Sequence, residues 1–383
     1  MPDRIVYLDH AASSWPKPQE IVAAVAESFD VYGGNPGRGA YAMALATARV
    51  IFNARRDLAK LLGVSDSRNL AFVPGCTAGC NLMLKGLLKP GDRVVVSSME
   101  HNAIARPLNF LAEAQVEVEV VRADPTGLVD PDVMEAAVRS KPTKAVVCQH
   151  ASNVTGTIQP IADLTDIAHA NGALLLVDGA QAAGHLPVDL ETLGVDAWSA
   201  SGHKGLLGPQ GVGLLYLAPH VDAEELVEGG TGGGASELPH QPKTRPDRYE
   251  AGTPNTPGIA GLGAAARLLL ERGEAQRAEE ALLIRRLHEG LLDVPGLRVL
   301  GPELGEPRIP VLSAVHERLP ADEIAFTLDR RFGIAVRAGL HCAPWAHQTL
   351  GTLESGAVRF GVGYGLTDAD IDLVVAAMQE TCR

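Results

Sequence analysis

Between residues 93 and 217, short apolar runs rich in β-branched residues alternate with longer amphipathic stretches. The runs are Arg93–Ser97, Val116–Val121, Ala145–Cys148, Ala173–Val177 and Gly211–Leu217; the stretches 103–113, 130–138 and 162–171 carry apolar residues at helical spacing. Strands that alternate with helices need crossover connections, so this part of the chain predicts an α/β fold whose mostly parallel sheet has helices on both faces. Two amphipathic helices are expected before it, over Pro16–Phe29 and over Gly37–Leu62, the second stopping at Gly63. Residues 229–258, from GGTGGG to GTPNTPG, hold too much Gly and Pro for regular structure and read as a functional loop or a domain boundary. Beyond them 259–292 is strongly helical, and the remainder reads strand, strand, helix, strand, loop, strand, helix. The expected organisation is a large domain over 15–257 and a small α+β domain built from 1–14 and 258–383.

Composition narrows the classes of function. Of 383 residues 46% are hydrophobic and 21% charged, the range of a packed globular protein. The 33 basic and 46 acidic residues leave a net charge of −13, which argues against a nucleic-acid or anionic-membrane binder, since both need basic patches. No apolar run reaches the ~20 residues of a membrane span; Ala145 to Ala162 lacks Asp, Glu, Lys and Arg, yet Gln, His, Asn and Ser interrupt it. MPDRIVYLDH lacks the apolar stretch of a secretory signal, so a cytoplasmic protein is expected. Five cysteines, Cys76, Cys80, Cys148, Cys342 and Cys382, form neither a disulfide framework nor a CxxC zinc pair. No metal is expected.

The candidate chemistry collects at predicted strand ends. ALLLVDGAQ puts Asp178 at the carboxyl end of a buried strand, where open α/β sheets bind ligands, although an aspartate there also serves as a helix cap. In SASGHKGLLGPQGVG, Lys204 sits among Gly, Ser201 and His203. A lysine in such a turn is usually a solvated charge. Here the hydroxyl, imidazole and Gly-rich backbone suit a phosphate, while the amine stays free to form a Schiff base. An acid for a pyridinium nitrogen and an amine for an aldehyde are what pyridoxal phosphate requires. Gly75-Cys76-Thr77-Ala78-Gly79 joins a strand to a helix whose first amides, with the Thr77 hydroxyl, can hold a phosphate; it is neither a Walker loop nor a GxGxxG fingerprint. His101 in SSMEHNAIARP and Asn153 in HASNVTGTI follow two further strands.

EHNAIARP, SNVTGT, VDGAQ, SGHKGLLGPQGVGLLY and AGTPNTPGIAGLGAA together resemble the fold-type I pyridoxal-phosphate enzymes of the class V aminotransferase family. Within it RAGLHCAPWAH resembles the active-cysteine segment of the short-loop cysteine desulfurases. The resemblance implies a large domain with a sheet of the seven-stranded type, a homodimer, the cofactor pyridoxal 5'-phosphate, L-cysteine as substrate, and a persulfide on Cys342 passed to an acceptor protein, as in iron–sulfur cluster assembly. It also implies roles for single residues. Lys204 would be the Schiff-base lysine, Asp178 the pyridinium partner, His101 the ring-stacking proton shuttle and Gln181 the partner of the phenolic oxygen. Thr77, Ser201 and His203 would hold the phosphate, together with Thr253 of a second subunit; Asn153 and Arg359 would orient the substrate, the guanidinium gripping its α-carboxylate.

Cys80 and Cys148 lie in apolar patterns and read as buried hydrophobes. Cys342 follows His341 in a loop close to Arg337, and a nearby cation favours the reactive thiolate. Three positions depart from the family pattern. Cys76 stands where a second hydroxyl residue is common in the phosphate turn, and Gly361 and Leu366 stand in VRFGVGYGLT where the family has Ser and an Asn-Thr ending. The alternatives within the fold are a selenocysteine lyase and an aminotransferase in which Cys342 is incidental. From other classes, a nicotinamide oxidoreductase lacks its GxGxxG, and a silent scaffold would have no use for Lys204, Asp178, His101 and Cys342.

Overall fold

The computed structural model describes residues 4–37, 39, 41–231 and 237–383. After the short strand β1 (Val6–Tyr7) come helices α1 (Gln19–Val31) and α2 (Ala42–Leu61). The second begins at Ala42 rather than Gly37 because Gly37 adopts φ +76°, which a helix cannot contain. Then strands and helices alternate as the pattern predicts: β2 (Leu70–Val73), α3 (Cys76–Leu87), β3 (Arg93–Ser97), α4 (Asn102–Glu113), β4 (Glu117–Val121), α5 (Pro131–Ser140), β5 (Ala145–Gln149), α6 (Ile161–Ala170), β6 (Leu174–Asp178), α7 (Leu190–Leu193), β7 (Ala197–Ser201) and β8 (Gly213–Leu217).

These strands form one seven-stranded sheet in the order β2-β8-β7-β6-β5-β3-β4. It is parallel from β4 to β7, with β8 antiparallel to both neighbours. The middle strands are buried on both faces, hence their unbroken Val, Leu and Ala runs. β4 closes the edge and shows it in sequence: Glu117 and Glu119 face outward and pair with Arg93 and Lys141.

The Gly- and Pro-rich segment connects β8 to the next helix, with one short turn at Asp247–Tyr249; its residues 232–236 lie outside the described ones. Arg245 moors it by donating to the carbonyls of Leu217 (2.8 Å) and Ala218 (3.0 Å). Helix α8 (Thr256–Leu292) follows, capped by the Asn255 side chain. Ile259, Leu262, Ala265 and Leu269 lie in the core under the large sheet, while Leu283, Ile284, Leu287 and Leu291 lie in a second core. That second core is covered by β9 (Leu297–Leu300), β10 (Val311–His316), α9 (Ala321–Thr327), β11 (Ile334–Ala335), β12 (Arg337–Gly339), β13 (Ala357–Gly361) and α11 (Asp368–Thr381), whereas α10 (Pro344–Thr349), between β12 and β13, packs on the first core through Ala346. Its antiparallel sheet runs β12-β13-β10-β9, and β1 joins this half by parallel pairing with β11. No described helix is long and apolar enough to cross a membrane.

Candidate active site

The carboxyl ends of the parallel strands open onto a cavity of about 190 Å³. Cys76, Thr77, His101, Asn153, Asp178, Gln181, Ser201, His203, Lys204 and Arg359 all line it, so ten of the residues singled out by sequence meet at one place. Local geometry brings them there. β6 ends at Asp178 and β7 at Ser201; the turns that follow cross where Gly184 and Gly205 touch, since a Cβ on Gly184 would sit 2.1 Å from the Gly205 carbonyl oxygen. That crossing sets Lys204 beside the end of β6.

Electrostatics differ from residue to residue. Burial pushes the Lys204 amine below its ordinary pKa, and Asp178 opposes that shift. Asp178 Oδ1 accepts from the Ala180 amide (2.9 Å) and from the Cys76 thiol (3.2 Å), leaving its second oxygen free. His101 caps α4: its Nδ1 accepts from the Ala103 amide at 3.0 Å, so the neutral ring carries its proton on Nε2. Burial first, and Lys204 second, hold His101 down to about 4. His203 is likewise held down to about 4 by burial, then by Lys204 and Lys17.

The phosphate turn departs from expectation at Cys76. Its backbone N–H donates to Ser201 Oγ (3.0 Å), but its thiol turns inward, to Asp178, to the Ser199 carbonyl (3.2 Å) and toward Cys80 Sγ (3.6 Å). The hydroxyl usual at this position is therefore not replaced by another phosphate donor; Thr77, exposed at the start of α3, and the helix amides remain for that task.

The opposite wall comes from the second half of the chain. Arg359 lies in β13 and is 1% exposed, with Nη2 on Asp9 Oδ1 (2.7 Å) and Nη1 on the Asn153 carbonyl (3.2 Å). Asp9 was not foreseen from sequence, and LDHAAS, half of it apolar, carries no local signal that would have found it. The same segment explains Gly361. A Cβ there would lie 2.7 Å from the Ala11 backbone nitrogen, because residues 9–11 run alongside the end of β13. Leu366 packs against the second core.

Cys342 is exposed and does not line the cavity itself; its neighbour His341 does. His341 (φ +51°) and Cys342 (φ +56°) both adopt left-handed backbone, unusual for residues with side chains and indicative of stored strain. Two clamps hold it: Asn153 Nδ2 donates to the His341 carbonyl and the Asn102 amide to the Cys342 carbonyl, each at 2.8 Å. Behind them runs a buried chain from Thr352 Oγ1 to His347 Nδ1 (2.8 Å) and from His347 Nε2 to His341 Nδ1 (3.2 Å). Burial holds His347 down to about 4 and His341 to about 2, so both rings are neutral. Arg337 Nη2 stands 3.6 Å from Cys342 Sγ, the cation its sequence position suggested. Cys80, Cys148 and Cys382 are buried.

Thr253 does not reach this cavity. It lines a larger, mainly apolar one of about 500 Å³, with Phe72, Val73, Leu226, Tyr249 and Ile259. The carboxylates on its wall, Glu225 and Glu250, are already paired with Arg248 and Arg55, and the convergent polar groups singled out from sequence line the smaller one.

A family model described as aminotransferase class-V matches residues 6–374. The probable cysteine desulfurase of Methanothermobacter thermautotrophicus is 36% identical over 383 residues, covering 98% of this chain and 94% of that protein. A cysteine desulfurase of Klebsiella pneumoniae is 38% identical over 360 residues, covering 88% of this chain and 84% of its own. Among solved structures, the apo cysteine desulfurase of Thermococcus onnurineus NA1 superposes with a TM-score of 0.91 at 29% identity, over 99% of this chain and 94% of that one. A cysteine desulfurase of Escherichia coli gives 0.88 at 28% identity, over 100% and 95%.

Proposed function

Because this chain belongs to the class-V aminotransferase family, we propose that it converts L-cysteine to L-alanine and keeps the sulfur as a persulfide on Cys342. The observation that carries the reading is a strained, exposed thiol beside a cation, adjacent in the chain to His341, which lines a cavity that also holds Lys204 and the strand-end carboxylate Asp178. Its rivals are the lyase and the aminotransferase named above, and nothing in the site favours either.

The cavity fits pyridoxal 5'-phosphate. Gln181 Oε1, Asn153 Oδ1, His203 Nδ1 and Arg359 Nε are buried without hydrogen-bond partners, and a polar ligand would satisfy them. Lys204 would hold the group through Nζ, Asp178 through its ring nitrogen, and Gln181 through its phenolic oxygen. His101 would lie over the ring, and the α3 amides with Thr77, Ser201 and His203 would hold the phosphate. When bound, the cofactor supplies an electron sink for the carbanion at the substrate's α-carbon.

The chain's own groups do the rest. Arg359, fixed by Asp9 and the Asn153 carbonyl, receives the substrate carboxylate. Lys204 Nζ, whose hold on its proton burial weakens, takes and returns the α-proton; His101 carries its own proton on Nε2, facing away from the Ala103 amide. Cys342 Sγ attacks the substrate sulfur: a new S–S bond forms, the substrate C–S bond breaks, and the carbon takes up a proton. One thiol and one cysteine become one persulfide and one alanine, with no external oxidant.

The large domain, 15–257, would carry the cofactor; the small one, 1–14 and 258–383, would carry Arg359 and Cys342. The functional unit would be a homodimer in which Thr253 serves the second copy's site, and a cytoplasmic acceptor protein would take the sulfur onward, iron–sulfur cluster assembly being one such use. The decisive experiment is Cys342→Ala incubated with L-cysteine. No alanine and no added sulfur on the RAGLHCAP peptide by mass spectrometry are expected, whereas alanine at the normal rate refutes the nucleophile. Loss on cysteine with activity retained on selenocysteine would place the lyase first.

A further inference from the structure

Helix α3 opens with Cys76 and presents Cys80 one turn later on the same face. Their sulfurs are 3.6 Å apart, and Cys76 Sγ is 3.2 Å from Asp178 Oδ1. The three ligand atoms all lie within 4.8 Å of one another, and both cysteines are buried. The proposed reaction uses Asp178 but neither thiol, and packing alone does not require two sulfurs at the foot of a carboxylate.

We propose that Cys76, Cys80 and Asp178 form a binding site for a tetrahedral, thiophilic dication such as zinc, open only while the cofactor is absent. Geometry selects this class of ion. With Zn–S near 2.3 Å and Zn–O near 2.0–2.2 Å, a tetrahedral site has an S–S edge of about 3.8 Å and an S–O edge of about 3.5 Å. The observed 3.6 and 3.2 Å differ from these by only a few tenths of an ångström. A two-coordinate linear ion with the same bond length would hold the sulfurs about 4.6 Å apart, which the helix turn does not offer. A hard ion such as magnesium would refuse thiolates.

Binding is a proton exchange without redox change: both thiols lose a proton to solvent, and two thiolates with one carboxylate hold the ion. A fourth position faces the cavity, which Cys76 and Asp178 line, and takes water. Only the exclusion by cofactor rests on the proposed function, because there Asp178 turns to the pyridine ring. The enzyme would then have two mutually exclusive fates before its first turnover, loading with cofactor or capture by a soft ion.

The test titrates the cofactor-stripped full chain with Zn²⁺ against a chromophoric chelator, in a Cys342→Ala background that removes the exposed thiol. One equivalent should bind; Cys80→Ala and Cys80→Ser should each weaken it on the order of tenfold or more. Cys80→Ala in an otherwise unaltered chain, reloaded with pyridoxal phosphate, should retain normal desulfuration, which shows that it folds. Failure to bind an equivalent, or equal binding by the Cys80 variants, overturns the site. Zinc held through Cys80 at saturating pyridoxal phosphate overturns the exclusion and, with it, the place of Asp178 beneath the cofactor.

Discussion

The sheet side of the cavity and the hairpin side position their groups by opposite means. On the sheet side, Asp178, Ser201 and Lys204 stand at or just past the ends of parallel strands buried on both faces; tilting one would displace a packed neighbour. On the hairpin side, the connection between the antiparallel strands β12 and β13, Cys342 is exposed between the buried His341 and Ala343 in left-handed backbone, fixed by two hydrogen bonds to the carbonyls of His341 and Cys342. The sheet side is rigid because there is nowhere to go. The hairpin side is placed yet releasable, which suits the role proposed for Cys342, a thiol that would meet substrate on one face and pass sulfur outward on the other.

If that contrast is right, altering chemistry on the sheet side should abolish function without unfolding the protein. Lys204→Ala should lose turnover by at least about 10³-fold and the visible absorbance of the purified protein, with an unchanged circular dichroism spectrum. Wild-type absorbance and rate would refute the assignment. Asp178→Asn should retain part of the cofactor but lose kcat on the order of 10²-fold; near-normal turnover would mean that the carboxylate only caps the turn at Ala180.

Relaxing the hairpin should act differently. His341→Gly relieves one left-handed residue but deletes a buried ring that bonds His347, so stability should fall on the order of 2 kcal/mol, read as a lower melting temperature, while kcat falls and cofactor absorbance stays put. An unchanged kcat would show that the strain does not aim Cys342.

Buried histidines give both sides an acid limb of stability, while Glu100 gives the sheet side an alkaline one as well. His341 and His347 bind protons only near pH 2 and 4 when folded, but near 6.5 when unfolded, so stability is lost as pH falls below about 6.5. On the sheet side burial raises Glu100 to about 8, opposed by Ser97 and the Gln149 amide. Its contribution is complete below about 4.5 and disappears as pH rises toward 8. His347→Asn should therefore flatten the acid limb of a plot of melting temperature against pH, and Glu100→Gln the alkaline limb. If each variant flattened the opposite limb, these attributions would be wrong.

The sheet side was largely legible in the sequence, because strand-end polar residues after apolar runs announce themselves. Lys204, Asp178, His101 and Asn153 converge as that pattern implied. The hairpin side was legible only in part. Cys342, Arg337 and Arg359 stood out by type, but nothing local in LDHAAS reveals that Asp9 will meet a guanidinium across the whole fold. Reading Cys80 as an inert hydrophobe gave its burial correctly and missed its neighbour, since only a helix starting at Cys76 itself brings the sulfurs together. Gly361 looked like a lost hydroxyl; it is the space through which residues 9–11 pass.

The Asp9–Arg359 pair joins residues 350 positions apart in the chain. At roughly 5–20 residues per second, a ribosome delivers the second partner some 20–70 s after the first. The seven strands of the large sheet, with Lys204 in the turn between β7 and β8, have all emerged long before then. During synthesis, then, the groups proposed to retain a cofactor are made before the arginine proposed to grip a carboxylate, and the proposed nucleophile Cys342 emerges only shortly before that arginine. Chains arrested at increasing lengths should show Lys204 protected from amine labelling well before Arg359 is protected from guanidinium reagents; simultaneous protection would mean the two halves assemble only as one.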